Sequence, residues 1–125
     1  IFPLSTHVIS KFYSKRIVFV GDAAHSVHPI AGQGWNLGMR DVATVDELSK
    51  KYKNLGIEIG NKNFCREYHE NTFYDAYRLY QITDKFDSFF RSNSLLNSNL
   101  RLHGFNIINK NKKLKNFISD FAMGI

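Results

Sequence analysis

Apolar residues fall along this chain in two rhythms, and the change between them divides it. Ile17, Val18, Phe19 and Val20 form a short continuous run of β-branched and aromatic residues behind Lys15-Arg16, the pattern of a buried parallel strand. Beyond a loop holding Pro29, Gly32 and Gly34 the rhythm turns helical. Leu37, Val42, Val45, Leu48 and Tyr52 predict an amphipathic helix over residues 35–53. Asn54, Gly56, Gly60 and Asn61 punctuate a loop. Helical spacing resumes at Phe64, Tyr68, Leu79, Ile82, Phe86 and Phe89, which predicts a second helix from about Asn63 to Phe90. Ser92 to Ser98 breaks that pattern, and short helical pieces follow. Residues 1–14 read as the end of another layer plus a connector, with Pro3 stopping any helix. The predicted class is α/β: one parallel strand edge followed by a mostly helical tail.

The end of the strand is where chemistry could sit. Gly21-Asp22 places a carboxylate at its carboxyl end, where open α/β sheets hold their ligands. Asp22 can accept hydrogen bonds from sugar-type hydroxyls, or it can cap a turn. Gly32 and Gly34 remove side chains so that a flat ring can approach the backbone; the other reading is a tight turn alone. The helix beginning near Trp35 and Asn36 aims free N–H groups and partial positive charge outward. Together these suit a ligand with hydroxyls and an anionic end, a nucleotide or a flavin. Gly32, Gly34 and Gly38 miss the G-x-G-x-x-G spacing and begin too far after the strand to be that fingerprint. Trp35 can contact a ring or pack in the core, and Arg40-Asp41 reads as a local ion pair. Asp22, His25 and His28 are closely spaced, but a metal needs three or four converging ligands, and no second cluster of His, Asp or Cys follows. Gly-Asp-x-x-His faintly echoes metallophosphoesterases, whose further Asn-His and His-rich motifs are absent.

Composition changes the picture in four places. At 125 residues and 43% hydrophobic content the chain can bury one modest core. Its single cysteine, Cys65, excludes an internal disulfide, suits a reducing compartment and reads as a small core residue. No run approaches the ~18 apolar residues of a membrane span, and no signal peptide is visible. The net charge of +6 is uneven: Arg101, Lys110, Lys112, Lys113 and Lys115 lie in a stretch without an acidic residue. Such a stripe can bind an anionic membrane or nucleic acid, or remain a solvated surface. No aromatic stacking module accompanies it, so nucleic acid is not expected.

The block GDAAHSVHPIAGQGWNLGMRDV, Gly21 to Val42, resembles the second flavin motif of the FAD-dependent aromatic hydroxylases related to para-hydroxybenzoate hydroxylase. Within them it is most similar to the ubiquinone-biosynthesis branch. Looser likeness continues at Phe2-Pro3-Leu4, Tyr68, Thr83-Asp84, Phe90, Leu100-Arg101, Gly104 and Ala122-Met123-Gly124. The resemblance implies the carboxyl-terminal part of an FAD-binding, Rossmann-like monooxygenase fold. Residues 1–60 would belong to the FAD-binding domain and residues 61–125 to a helical carboxyl-terminal region. It implies cofactor contacts from Gly21, Asp22, Pro29, Gly32, Gln33, Gly34, Trp35 and Asn36. Asp22 would take the ribityl chain, and Pro29 and the Gly32–Asn36 backbone the ring. No residue here is expected to transfer a proton. His25 would pack beneath the loop, and His28 would face the ring or a substrate cavity.

By the same resemblance NAD(P)H is the reductant, O₂ the oxygen source and a polyprenylated phenol the substrate. The basic residues then suit peripheral membrane contact, in a cytoplasmic location at the inner membrane, with other ubiquinone-synthesis enzymes as possible neighbours. Family members are roughly three times this long, on the scale of two or more domains. The chain is therefore expected to be a carboxyl-terminal third or a split-gene product. The first dinucleotide fingerprint would lie in the missing part. The alternative is a non-catalytic remnant or interaction module.

Overall fold

The computed structural model describes residues 5–29, 32–91, 103–104 and 106–123. Four two-residue strands precede the helices: β1 (His7–Val8), β2 (Tyr13–Ser14), β3 (Ile17–Val18) and β4 (His25–Ser26). A single 3₁₀ turn, Gly21–Ala23, stands between β3 and β4. Helix α1 spans Gly34–Asn54, α2 spans Lys62–Arg91 and α3 spans Lys112–Met123.

Strand pairing departs from the expected parallel edge. β2 and β3 form an antiparallel hairpin with Tyr13 opposite Val18 and Ser14 opposite Ile17, extended by a bond from Phe19 N–H to the Phe12 carbonyl. β1 pairs antiparallel with β4, Val8 opposite His25. The reason is local. The two residues Lys15-Arg16 close a hairpin at once, with Lys15 in the left-handed region at φ 48°. A parallel partner would need a crossover of a dozen or more residues, and no parallel pair forms among the described residues. The run Ile17–Val20 is also only partly buried, with Ile17 61% exposed.

The helices follow their apolar pattern closely. α1 and α2 pack as an antiparallel hairpin, with Tyr52 near the end of α1 meeting Phe64 near the start of α2 edge-on at 5.4 Å. The α1 stripe facing inward is Leu37, Asp41, Leu48 and Tyr52, with Val45 half-buried. Val42, expected inside, lies on the outer face with Trp35 and Met39. On α2 the buried residues are Phe64, Cys65, Tyr68, Thr72, Ala76, Leu79 and Thr83. Ile82 and Phe89 are half-buried, and Phe86, also expected inside, is exposed. Phe12 from the hairpin fills the centre and contacts the rings of His25, His69 and Phe73. One core therefore joins the strands to both helices and spans position 60. The Tyr68 hydroxyl fastens it by donating to the Phe19 carbonyl at 2.9 Å.

Candidate functional site

The segment after β3 is pinned to the first turns of α1. Gly21 takes φ +58°, a left-handed conformation that favours glycine, and its N–H donates to Asp41 Oδ2 at 2.9 Å. An ideal Cβ on Gly38 would stand 3.7 Å from Gly21 Cα, so the turn lies directly on the helix. Gly38 is four residues into α1, which puts the Asp22 turn within about 6 Å, along the axis, of the helix start. The His7 ring adds a bond from Nε2–H to the Asp22 carbonyl at 3.1 Å.

The two groups that could meet a ligand are left open. The Asp22 side chain is exposed and has no hydrogen-bond or ion-pair partner among the described residues. Helix α1 starts at Gly34 behind Gln33, whose side chain makes no capping bond to the first amides. Trp35, in that first turn, is 78% exposed, and Asn36 is exposed as well. Uncapped N–H groups at a helix start carry partial positive charge and want an acceptor.

The expected contacts divide accordingly. Gly21 and Asp22 stand at the turn, while Pro29, Gly32, Gly34, Trp35 and Asn36 form an exposed stretch leading into α1. Gln33, between them, is buried. Ile30 and Ala31 lie outside the described residues. Among the described residues a Cβ at Gly34 would meet only Val27 Cγ2, at 3.9 Å, so their packing does not require glycine there. Space kept free of a side chain beside open amides fits a flat ring with an electron-rich edge.

Arg40-Asp41 is used differently from expectation, and the two histidines take separate partners. His25 is 2% exposed and its Nε2–H donates to Asp41 Oδ2 at 2.6 Å. His28 Nε2 lies 3.3 Å from Asp87 Oδ1 on α2. Asp22, His25 and His28 thus turn to separate surroundings. Arg40 reaches across to Asp75 on α2 at 2.8 Å, leaving Asp41 for the core; neighbours on a helix point about 100° apart, so the local pair does not form. Burial first, and the Asp41 carboxylate next, push the Tyr68 phenol above its ordinary range. Asp41 is the residue that sequence reasoning missed. Its signal was available: it is an acid at the i+4 position of the Leu37 stripe, and a charge on a core face needs buried donors.

An open carboxylate on a turn, held against a helix start, suits a ligand such as a flavin or a nucleotide. Comparison with known proteins agrees: residues 1–54 match the family model of the FAD binding domain. The chain is 32% identical over 123 residues to the mitochondrial ubiquinone biosynthesis monooxygenase COQ6 of Dictyostelium discoideum, 98% of this chain and 25% of that protein. Identity to the COQ6 protein of Saccharomyces cerevisiae is also 32%, over 98% of this chain and 26% of the relative. The ubiquinone hydroxylase UbiL of Rhodospirillum rubrum is 31% identical over 98% of this chain and 29% of its own length. Over nearly its whole length the chain is thus similar to monooxygenases and hydroxylases of ubiquinone biosynthesis. It spans about a quarter of the length of these relatives, less than the third expected.

Proposed function

We propose that this chain supplies the ribityl- and ring-binding half of the FAD site in a monooxygenase that hydroxylates a polyprenylated phenol during ubiquinone biosynthesis. The observation that carries this reading is the pairing of an open Asp22 carboxylate with an uncapped α1 start, joined through Gly21 and Asp41. Asp22 would accept hydrogen bonds from ribityl hydroxyls, and the Gly34–Asn36 amides would face the electron-rich edge of the ring. Pro29 and Gly32 would border the ring, and Trp35 would flank it. The redox chemistry, electrons from NAD(P)H and one oxygen atom from O₂, belongs to the cofactor when bound. The residues described here bind, orient and exclude water; none is assigned a proton.

The adenosine diphosphate half would rest on a first dinucleotide-binding unit that these residues do not contain. A cofactor divided between two segments loses most of its affinity when one is absent, because ordering costs remain while contacts vanish. The test is FAD titration followed by flavin fluorescence, on the 125-residue chain alone and together with a polypeptide bearing the first unit. Tight binding, with NAD(P)H-dependent hydroxylation of a polyprenylated phenol, is expected only in combination. Stoichiometric binding at micromolar concentration by this chain alone would end the divided-site account. Failure of the combination to bind FAD at all would favour a non-catalytic interaction module.

Membrane contact extends the same reading. Lys110, Lys112, Lys113 and Lys115 are exposed at or beside α3, while Arg101 lies outside the described residues. Ile107 and Ile118 are exposed near them. Among the described residues no helix is long and apolar enough to cross a membrane. Basic residues near an anionic surface contribute about 1 kcal/mol each, which suits peripheral attachment at an inner membrane, near a lipid-tailed substrate and other enzymes of the same synthesis. Co-sedimentation with phosphatidylserine vesicles, lost at high salt, is the expected result.

A further inference from the structure

Asp41 is 1% exposed, and a buried carboxylate is costly unless donors meet it. Two do, and both come from the same short segment. The Gly21 amide and His25 Nε2–H converge on one oxygen, Oδ2, at 2.9 and 2.6 Å. Between them in sequence stands Asp22, the exposed carboxylate of the proposed ribityl contact. Asp41 itself sits two turns into α1, whose start is the proposed ring contact. One side chain thus bridges the two halves of the binding surface, and the bare Gly38 lets turn and helix touch. The Phe12 ring beside His25, with centroids 5.6 Å apart, keeps the pair within the apolar core.

We propose that Asp41 is a positioning residue of the flavin site. Through Gly21 and His25 it fixes the Asp22 turn at one spacing from the start of α1 before any ligand arrives. This rests on the flavin reading above and adds to it the part that presets its geometry. A carboxylate oxygen accepts two such bonds more strongly than a neutral amide oxygen does. Asparagine at position 41 keeps the volume but offers a neutral acceptor beside a donor. Glutamine at position 25 keeps an N–H near the place of Nε2, whereas phenylalanine keeps a ring and removes the donor. Preorganisation of this kind appears as ligand affinity, because ordering the two halves no longer opposes binding.

The experiment uses the 125-residue chain and two readouts. The first is free of ligand. Trp35 is the sole tryptophan, so with Cys65→Ser and Asp22→Cys a dansyl group at position 22 reports the turn-to-helix distance by energy transfer. A narrow distance distribution is expected with Asp41 and His25 intact and with His25→Gln, and a broad one with Asp41→Asn and His25→Phe. The second readout retains Asp22 and follows the Asp22 and Trp35 amides by NMR while riboflavin is added. Affinity should fall about tenfold in Asp41→Asn and His25→Phe and stay within about twofold in His25→Gln, in keeping with the loss of one charged hydrogen bond. An unchanged distance in both disruptive variants overturns the proposal. So does a broadened distance with unchanged riboflavin affinity, which would make Asp41 a core anchor only. If riboflavin shifts neither amide in the unaltered chain, the titration is repeated with the polypeptide bearing the first unit and with FAD; silence there fells the flavin reading and the site role with it, while the distance result still reports the coupling separately. Should Asp41→Asn fail to fold by circular dichroism, the His25→Gln and His25→Phe pair carries the test.

Discussion

The two ends of the α1–α2 hairpin obey opposite rules. At the closed end every local requirement is met. Helix α1 stops in a paired-bond terminus: Gly56 N–H donates to the Lys53 carbonyl and Ile57 N–H to that of Tyr52, with Gly56 at φ +67°. Helix α2 begins behind Asn61, whose Oδ1 accepts from the Asn63 and Phe64 amides at 2.8 and 2.9 Å. Glu67 takes hydrogen bonds from Lys51 and from the Tyr52 hydroxyl. At the open end the Gln33 side chain makes no cap for α1, the Asp22 carboxylate has no partner among the described residues and Trp35 stands in solvent. Natural sequences break local rules chiefly where function needs it. The closed end serves folding, and on the proposed flavin reading the open end is left for a ligand.

Substitutions at the open end should therefore cost binding and spare stability, while those at the closed end should do the reverse. The largest effect belongs to Gly34→Val in a protein completed by the first dinucleotide-binding unit. A Cβ at Gly34 makes only an ordinary contact with the described residues, so the thermal midpoint should hold while FAD retention through gel filtration is lost. Retained flavin would break the comparison at its strongest point. Asp22→Ala should weaken FAD by roughly 1.5–3 kcal/mol, the worth of a charged hydrogen bond, with unfolding unchanged. Equal affinity by fluorescence titration would remove Asp22 from the site.

Gly56→Val tests the closed end. A β-branched residue held in the left-handed region costs roughly 1–2 kcal/mol, so the denaturation midpoint should fall while flavin affinity stays. The smallest effect is a pH dependence. The Lys51 hydrogen bond, then that of Tyr52, hold the Glu67 carboxyl below its ordinary 4.5 against the opposing effect of burial. A carboxyl lowered in the folded state adds stability above its unfolded value and loses it as pH falls through the folded one. Thermal midpoints measured downward from about pH 4.5 should drop less steeply in Glu67→Gln than in the unaltered chain. Parallel curves would mean that the closed end gains nothing from that carboxylate.

Much of this was legible because it is periodic. Helices expected at 35–53 and 63–90 occupy Gly34–Asn54 and Lys62–Arg91. The open end was legible as motif, since Gly21-Asp22 and Gly32–Asn36 are contiguous in sequence. Strand pairing was not, because the run Ile17–Val20 carries no information about its partner, and a two-residue turn supplied an antiparallel one. The bridge between the segments was hidden for a different reason. Asp41 lies beside Arg40 in sequence but faces the other way on the helix, and its partners are 16 and 20 residues upstream. Small and polar core members such as Thr72, Ala76 and Thr83 were equally silent; both threonines satisfy their hydroxyls on carbonyls four residues back, Tyr68 and Leu79.

The unequal lengths of the two helices have a consequence for how the molecule opens. At 30 residues α2 outruns the 21 of α1, a difference of about 13 Å of helix axis. No residue of α2 beyond Thr83 is buried, and the contact of Asp87 with His28 at 3.3 Å is one tie that reaches back to the loop before Pro29. Local opening is cheapest where few apolar contacts resist it. Amide protection should thus decline along α2, strong from Tyr68 to Leu79 and weak past Thr83, so that the helix frays from its far end toward the core. The segment bearing His28 and Pro29 would feel that fraying first, which gives the loop at the open end its own, faster clock.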